Sequence, residues 1–191
     1  MKVRFATTKD TISILKIYEE YIDTPITFEY KLPTEKEFEE RIKEIIKEYP
    51  YIVCEQEGKV VGYAYAHKYK ERKAYDFDVE LSIYISKSYT SKGEGKKLYN
   101  ILIEILKLQN IKNVYACVTV PNEKSEKLHK SLGFKSIGVF YNTGYKCDTW
   151  LDVKYFEKII GEHEENPTSF ISIDKIDKEK LNKIIEKYNT N

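Results

Sequence analysis

The chain has 191 residues, and its 32 lysine and arginine residues nearly balance its 31 aspartate and glutamate residues. A formal net charge of +1 gives no general attraction to nucleic acid or to an anionic membrane surface. The length indicates one domain with room for a small appendage, and a hydrophobic content of 41% is enough for a sizeable core.

The sequence contains no apparent targeting or metal-binding segment. The N-terminal stretch MKVRFATTKD lacks the apolar core of a signal peptide, and no run approaches the roughly 18 apolar residues of a membrane span. We therefore expect a cytoplasmic protein with no nucleic-acid or membrane partner. Cys54, Cys117 and Cys147 form no CxxC pair, so we expect neither disulfides nor a metal. Cys54 and Cys117 lie in apolar runs and are expected to be buried, unreactive thiols.

The N-terminal half predicts a strand, two helices and a hairpin. The residues VRFAT read as a short strand, and Asp10 then precedes apolar residues with helical spacing, where it can cap a helix. A loop, TPITFEYKLP, carries Phe28. Thr34 and Glu37 have the spacing of a capping box, which predicts the start of a second helix. YIVCEQ and VVGYAYAHK are expected to be strands joined by a turn at EGK.

The C-terminal half begins with an alternating strand, VELSIYIS, at residues 79–86. One face should carry Leu81, Ile83 and Ile85, and the other Glu80, Ser82 and Tyr84. A long amphipathic helix follows, then NVYACVTV, whose apolar character predicts a strand buried on both faces. PNEKSEKLHKSLG reads as a helix that ends at Gly133. Two further strands are expected near residues 134–141 and 149–156.

This order of elements predicts the fold. Residues 79–120 are long enough for a right-handed crossover between parallel strands, whereas the earlier strands resemble an antiparallel meander. We therefore predict an α/β (α+β) fold with a mixed sheet of about six to seven strands and helices on both faces. Residues 1–160 would form this domain. Residues 161–191 would form a C-terminal extension, a linker followed by a short docked helix, with a frayed terminus as the alternative.

The loop YTSKGEGKKLY, at residues 89–99, is rich in glycine and lysine. It is not a Walker loop, because Lys97 replaces the required Ser or Thr and Thr90 replaces the first glycine. It is not a dinucleotide-binding turn, because Leu98 stands where the third glycine belongs. A small-residue loop between a strand and a helix N-terminus presents backbone N–H groups to an anion. An ordinary basic turn would have the same pattern.

The surrounding residues narrow these alternatives. ELSIYISKSYTSKGEGKKLY resembles the acyl-CoA site of GNAT-superfamily N-acetyltransferases. RKAYDFDVELSIYIS, VPNEKSEKLHKSLGFKSIG and GYKCDTWLDVKYF resemble segments of its phosphinothricin acetyltransferase-like members, which include methionine sulfoximine and sulfone acetyltransferases. The resemblance covers residues 1 to about 158 and implies a GNAT fold, acetyl-CoA as cosubstrate, a small amino acid-like amine as acceptor, and a homodimer. A polyamine, aminoglycoside or protein N-terminus remains an alternative acceptor, and a non-catalytic coenzyme A-binding module an alternative function.

The resemblance also implies the residues of the site. Glu80 matches the general base, although a solvated glutamate is the simpler interpretation, and His129 matches a histidine that works with it, although it could be purely structural. Asn122 matches a cofactor contact and could equally cap its helix. The residues implied to bind the cofactor are Ile83, Tyr84, Ile85, Ser91, Lys92, Gly93, Glu94, Gly95, Lys96 and Asn122. Those implied near the acceptor are Phe28, Arg72, Lys73, Tyr75 and Trp150.

One residue departs from the family pattern. The family loop usually opens with Gln or Arg, and this chain has Thr90. Because phosphate binding depends mainly on backbone N–H groups, we expect it to survive this change. Tyr99 is expected in the core, with proton donation as an alternative, and His67 and His163 match no family position and are interpreted as incidental.

Overall fold

A computed structural model of the chain describes residues 1–90 and 93–190. They form a seven-stranded sheet in the order β1-β2-β3-β4-β5-β7-β6, with helices on both faces. The strands are β1 (Lys2–Phe5), β2 (Tyr51–Gln56), β3 (Lys59–Lys68), β4 (Asp78–Ile85), β5 (Asn113–Val120), β6 (Lys135–Lys146) and β7 (Thr149–Ile159). The helices are α1 (Thr11–Ile22), α2 (Glu35–Glu48), α3 (Glu94–Leu108), α4 (Glu123–Ser131) and α5 (Lys178–Asn189).

The strand pairing confirms the predicted mixed sheet. β4 and β5 are parallel and are joined by α3, while all other neighbouring strands are antiparallel. The β2–β3 hairpin turns at Glu57 and Gly58, whose φ angles of 51° and 74° are the left-handed values that tight hairpins require. Gly133 follows α4 with φ 79°, in the predicted C-terminal position.

Two helix starts illustrate how local signals succeed and fail. The Thr34–Glu37 capping box is present, and the Thr34 backbone N–H donates to the Glu37 carboxylate at 2.8 Å. Asp10 is the N-cap residue of α1, as expected, but its side chain makes no capping hydrogen bond to this helix. Its carboxylate instead accepts from the Thr7 backbone N–H at 2.8 Å and pairs with Arg4 at 2.7 Å, because these partners lie within reach before α1 begins.

Each face of the sheet has its own hydrophobic core. Helices α1 and α2 cover one face, where aromatic side chains of β2 and β3, among them Tyr51 and Tyr63, are buried. Helices α3, α4 and α5 cover the other face, together with Leu81, Val114 and Phe156. The alternation predicted for β4 is therefore present, with its apolar residues toward α3 and its polar residues toward α1 and α2.

Strands β4 and β5 pair over only three positions, and this sets the location of the site. The paired residues are Asp78 with Asn113, Val79 with Val114, and Glu80 with Tyr115. Beyond Glu80 no pairing between the two strands is found in the part of the chain that the structure describes. The strands therefore diverge and leave a wedge between them.

Strand β5 differs from its prediction. Val114, Ala116 and Val118 are buried, but the alternate residues are not, and Cys117 is exposed. The expectation that Cys117 is buried is therefore wrong, since one face of β5 lies beside the wedge instead of under a helix. Cys54 is buried as predicted.

The C-terminal extension docks onto the domain through α5. Ile176, Leu181 and Ile185 belong to the same hydrophobic core as α3. The Asn189 side-chain amide bonds both backbone groups of Val3 on edge strand β1, at 2.7 and 2.8 Å. Within residues 1–90 and 93–190, no helix has the length and apolar character needed to cross a bilayer.

Candidate active site

The wedge between β4 and β5 contains a small cavity that connects the two faces of the sheet. Its volume is about 80 Å³. Residues of both strands and of α3 and α4 line it, among them Ser82, Tyr84, Cys117, Tyr99, Asn122 and His129. The gap therefore brings together residues that the sheet would otherwise keep apart.

Strand β4 offers a free backbone edge to this wedge. Residues 82–85 pair with β3 on one side and have no partner strand on the side toward β5 among the described residues. An extended ligand with amide groups can add to such an edge as a strand does. The predicted contacts of Ile83, Tyr84 and Ile85 lie along it. The Tyr21 hydroxyl donates to the Ile85 carbonyl and fixes the end of the strand.

The predicted pyrophosphate loop leads into the N-terminus of α3, as expected. Gly93 has φ 95°, a left-handed value that favours glycine, and Glu94 begins the helix. A Cβ atom at Gly95 would lie 3.2 Å from Leu128 and 3.4 Å from Ile83, so the helix start fits closely between β4 and α4. Lys96 is exposed beside it. The predicted contacts of Ser91 and Lys92 lie outside the described residues.

Glu80 lies where β4 and β5 separate, on the sheet face toward α1 and α2. It is directly opposite His67 on β3 and Tyr115 on β5. Burial raises the pKa of its carboxyl group, and the charge of His67 opposes this shift. A carboxylate with a raised pKa, one residue before the part of β4 that lines the wedge cavity, is suited to accept a proton.

His129 lies on the other face of the sheet from Glu80. Its ring is only 2% exposed and stacks on Phe156 with a centroid distance of 5.1 Å. The Nδ1 atom lies 2.7 Å from the Ser125 carbonyl, which can only accept, so Nδ1 carries the proton. Burial lowers the pKa of His129, so the ring is neutral. Its Nε2 is a buried acceptor for which no partner is found among the described residues.

Asn122 caps α4, as one of its two interpretations predicts, and its cofactor contact stays a prediction. Its Oδ1 atom accepts from the Ser125 backbone N–H at 3.1 Å and so caps α4. The residue also lines the wedge cavity. Because the cap uses only the oxygen, the two side-chain N–H groups remain available as donors.

The predicted acceptor residues of the turn before β4 lie at the end of an aromatic series. Arg72 and Lys73 are exposed. The Tyr75 ring lies 6.1 Å from the Tyr69 ring, which stacks on Tyr115 at 4.3 Å. Since Tyr115 is the strand neighbour of Glu80, these rings connect the basic turn to the candidate base.

Phe28 and Trp150 lie together at another place, near the end of the β6–β7 hairpin. The Phe28 ring covers Gly144 so closely that an added Cβ atom would lie 2.4 Å from it. Trp150 is 60% exposed and contacts Tyr145 at a ring distance of 5.4 Å. Neither residue lines the wedge cavity, although Ile26, two residues before Phe28, does.

Sequence reasoning missed several residues around Glu80 and along the aromatic series. They are Tyr69, Lys70, Tyr115, Cys117 and Tyr155. The Lys70 Nζ atom lies 4.9 Å from the centroids of both the Tyr69 and Tyr75 rings. The available signal was the alternation of Tyr115, Cys117 and Thr119 with small apolar residues on β5, which indicates a strand with one polar face.

Comparison with known proteins is consistent with this geometry. Residues 3–155 match the model of the acetyltransferase (GNAT) domain. The chain is 34% identical over 159 residues to a phosphinothricin N-acetyltransferase of Streptomyces viridochromogenes, covering 83% of this chain and 87% of that protein. It is 28% identical over 165 residues to an L-methionine sulfoximine/L-methionine sulfone acetyltransferase of Salmonella typhimurium, covering 85% and 96%.

A solved structure shows the same arrangement of elements. The crystal structure of a GNAT superfamily phosphinothricin acetyltransferase from Sinorhizobium meliloti, in complex with acetyl-CoA, matches with a TM-score of 0.84 and 36% sequence identity. The match covers 87% of this chain and 92% of that one. The expected fold is thereby confirmed.

Proposed function

This chain belongs to the GNAT acetyltransferase family, and on that premise we propose that it acetylates the amino group of a small amino acid-like acceptor of the phosphinothricin or methionine sulfoximine/sulfone type. Acetyl-CoA is the acetyl donor in this family, and a matching structure contains it. The observation that carries the proposal is the position of Glu80, where the free edge of β4 meets the aromatic series that leads to Arg72.

The residues of the wedge fit acetyl-CoA. The free backbone of Ile83 to Ile85 would hold the pantetheine arm, and the N–H groups at the start of α3 would hold the pyrophosphate. The close fit around Gly95 leaves room there for backbone alone. When bound, acetyl-CoA supplies a thioester carbonyl as the electrophile.

The chain's own residues supply the proton transfers. The Glu80 carboxylate takes a proton from the acceptor ammonium, directly or through water, so that the amine can attack without a covalent enzyme intermediate. Neutral His129 lines the wedge cavity, and its Nε2 lone pair would accept a hydrogen bond from a polar group bound there. Tyr99 is 1% exposed, and burial raises the pKa of its hydroxyl, so it holds a proton at the cavity wall.

The basic turn supplies recognition of the acceptor. Arg72 and Lys73 are exposed cations, and a guanidinium is suited to bind a carboxylate through two hydrogen bonds. Lys70, held over two tyrosine rings, adds a third cation on the same turn. An acceptor that carries an acidic group beside its amine fits this arrangement better than a polyamine does.

An acceptor screen by thiol release tests the proposed function. Phosphinothricin, methionine sulfoximine and methionine sulfone should be acetylated with kcat/KM values well above those of spermidine, an aminoglycoside and an N-terminal peptide. Strong turnover of polyamines with none of the methionine analogues would favour another acceptor class. Tight binding of acetyl-CoA without turnover of any amine would instead identify a non-catalytic module.

The start of α3 provides a first prediction. Gly95→Val should weaken acetyl-CoA binding at least tenfold, because the side chain would meet Leu128 and Ile83 and displace the helix start. Calorimetric titration with acetyl-CoA measures the effect. Gly138→Ala is the matched control, since a Cβ atom there meets nothing within 4 Å. Unchanged affinity in Gly95→Val would mean that this loop is an ordinary basic turn.

The outer part of the β6–β7 hairpin supports a homodimer. Large apolar side chains are exposed there, with Phe140 at 55%, Tyr141 at 74% and Trp150 at 60% exposure. Contiguous exposed apolar groups mark interaction surfaces. Analytical ultracentrifugation should give a dimer, and the double variant Phe140→Asp/Tyr141→Asp should give a monomer. Ile12→Asp, at an exposed apolar position on α1, should leave the dimer intact. A monomeric native protein would contradict the proposal.

A further inference from the structure

The proposed reaction must release one proton per turnover. An ammonium group and a thioester become an amide, a thiol and one free proton. Two protons leave the nitrogen, of which one ends on the sulfur and the other passes through Glu80. Glu80 is partly buried, so this second proton needs a route to water before the next cycle.

Most titratable groups near Glu80 cannot accept this proton. Tyr65, Tyr99 and Tyr155 interact with its charge, and burial raises the pKa of each phenol. The thiol of Cys117 is desolvated although the residue as a whole is exposed, which raises its pKa to about 11. All four groups therefore keep their protons at neutral pH.

His67 is different in chemistry and position. It is the direct cross-strand neighbour of Glu80, and such neighbours on one face of an antiparallel pair have Cβ atoms about 4.5–5.5 Å apart. Its Nδ1 lies 3.1 Å from the Lys68 carbonyl, which can only accept, so Nδ1 carries the proton. In the neutral ring the lone pair is then on Nε2, which is free to accept a proton.

His67 also lines a second cavity, which lies between α2 and the sheet and has a volume of about 560 Å³. Glu40, Arg41 and Glu44 of α2 line it as well and are exposed, so this cavity reaches solvent. The other titratable groups that line it are Glu29, Glu37 and the tyrosines of α1, β2, β3 and β4. Arg41 is paired with Glu29 at 2.5 Å, so the guanidinium charge in this cavity is balanced.

We propose that His67 is a positioning residue that acts through Glu80 and passes the acceptor's proton to the solvent-reaching cavity under α2. Glu80 gives its proton to Nε2 of His67, which becomes an imidazolium and then releases the proton to water. The relay rests on the proposed function, since it needs Glu80 to be the base. The proposed relay assigns a role to a histidine that matches no position in the family motifs.

The test compares His67→Gln and the smaller His67→Asn with wild type. Both variants should lower kcat about tenfold at neutral pH, with an unchanged KM for acetyl-CoA. Added imidazole should raise the kcat of both variants at least threefold and leave the kcat of wild type unchanged. Because protonated His67 lowers the pKa of Glu80, the acid limb of the kcat/KM profile should move to higher pH in both variants.

Control variants separate the relay from the proposed function. His163→Gln changes an exposed histidine that bonds Asn113 at 3.1 Å, and it should behave as wild type. If Glu80→Gln lowers activity while both His67 variants keep the wild-type kcat and pH profile, the relay alone is wrong. A slower His67 variant with no imidazole rescue and no pH shift would show a structural role and also overturn it. Full activity in Glu80→Gln would overturn the base and the relay together.

Discussion

Glu80→Gln is expected to lower kcat by about 10²- to 10³-fold with a good acceptor, while the KM for acetyl-CoA stays unchanged. Glutamine has nearly the same shape but cannot accept a proton from the acceptor ammonium. The free β4 edge begins beyond Glu80 and contributes backbone groups, so the substitution leaves the proposed cofactor contacts intact. Steady-state kinetics with thiol detection measures the effect.

The pH profile provides the second half of this test. Burial raises the pKa of Glu80 above the ordinary glutamate value, and only the deprotonated form is a base. Activity should therefore decline as the pH falls through a value above that of an exposed glutamate. Because a raised carboxyl pKa means that the fold disfavours the charged form, Glu80→Gln should not lower the thermal unfolding temperature at neutral pH.

Asp78→Asn is the matched control for Glu80→Gln. Asp78 lies two residues earlier on the same strand and face, and its carboxylate accepts from the Asn113 amide at 2.7 Å. Asparagine can keep this hydrogen bond, so the variant should retain wild-type kinetics. An unchanged kcat in Glu80→Gln would show that another group removes the proton.

The sequence supported the local structure around Glu80 better than the arrangement of its neighbours. Period-two alternation placed Glu80 on the polar face of β4, and the structure agrees. Which residue stands opposite Glu80 depends on strand register, and register is fixed by long-range pairing and turn geometry that local periodicity does not encode. His67 and Tyr115 were therefore not identified as its neighbours.

His129 shows a related limit. Helical spacing placed it at the edge of an apolar face, where the structure buries it. This face packs on the side of the sheet away from Glu80. It still reaches the wedge, because β4 and β5 diverge early. No local pattern in either strand marks the residue at which pairing stops.

The extension at residues 161–191 lies outside the matched family domain, and its removal is expected to destabilise the whole protein. Ile176, Leu181 and Ile185 are 7–9% exposed and complete the core under α3. Burial of an aliphatic side chain contributes about 1.5–3 kcal/mol, so these three contribute about 5–9 kcal/mol. The whole free energy of unfolding of a typical domain is about 5–15 kcal/mol.

Polar contacts connect the extension to helix α3 and to edge strand β1. The Gln109 amide at the end of α3 donates to the carbonyls of Glu48 and Ile171, at 2.6 and 2.9 Å. The Tyr188 hydroxyl donates to Glu104 on α3 at 2.6 Å. On the sheet edge, Asn189 bonds Val3 as a paired strand would, which satisfies backbone groups that an edge strand leaves open.

A chain ended at residue 160 should therefore lose cooperative thermal unfolding or unfold at a much lower temperature. Leu181→Ala should cost about 2–4 kcal/mol and lower the unfolding temperature by about 5–15 °C. Asn189→Ala should cost about 1 kcal/mol, because water can replace part of the lost bonding at the edge. Lys180→Ala, an exposed position on α5, is the control and should stay within about 0.5 kcal/mol of wild type. Calorimetry or circular dichroism measures all four. A shortened chain that unfolds at the wild-type temperature would identify the extension as an appendage that the fold does not need.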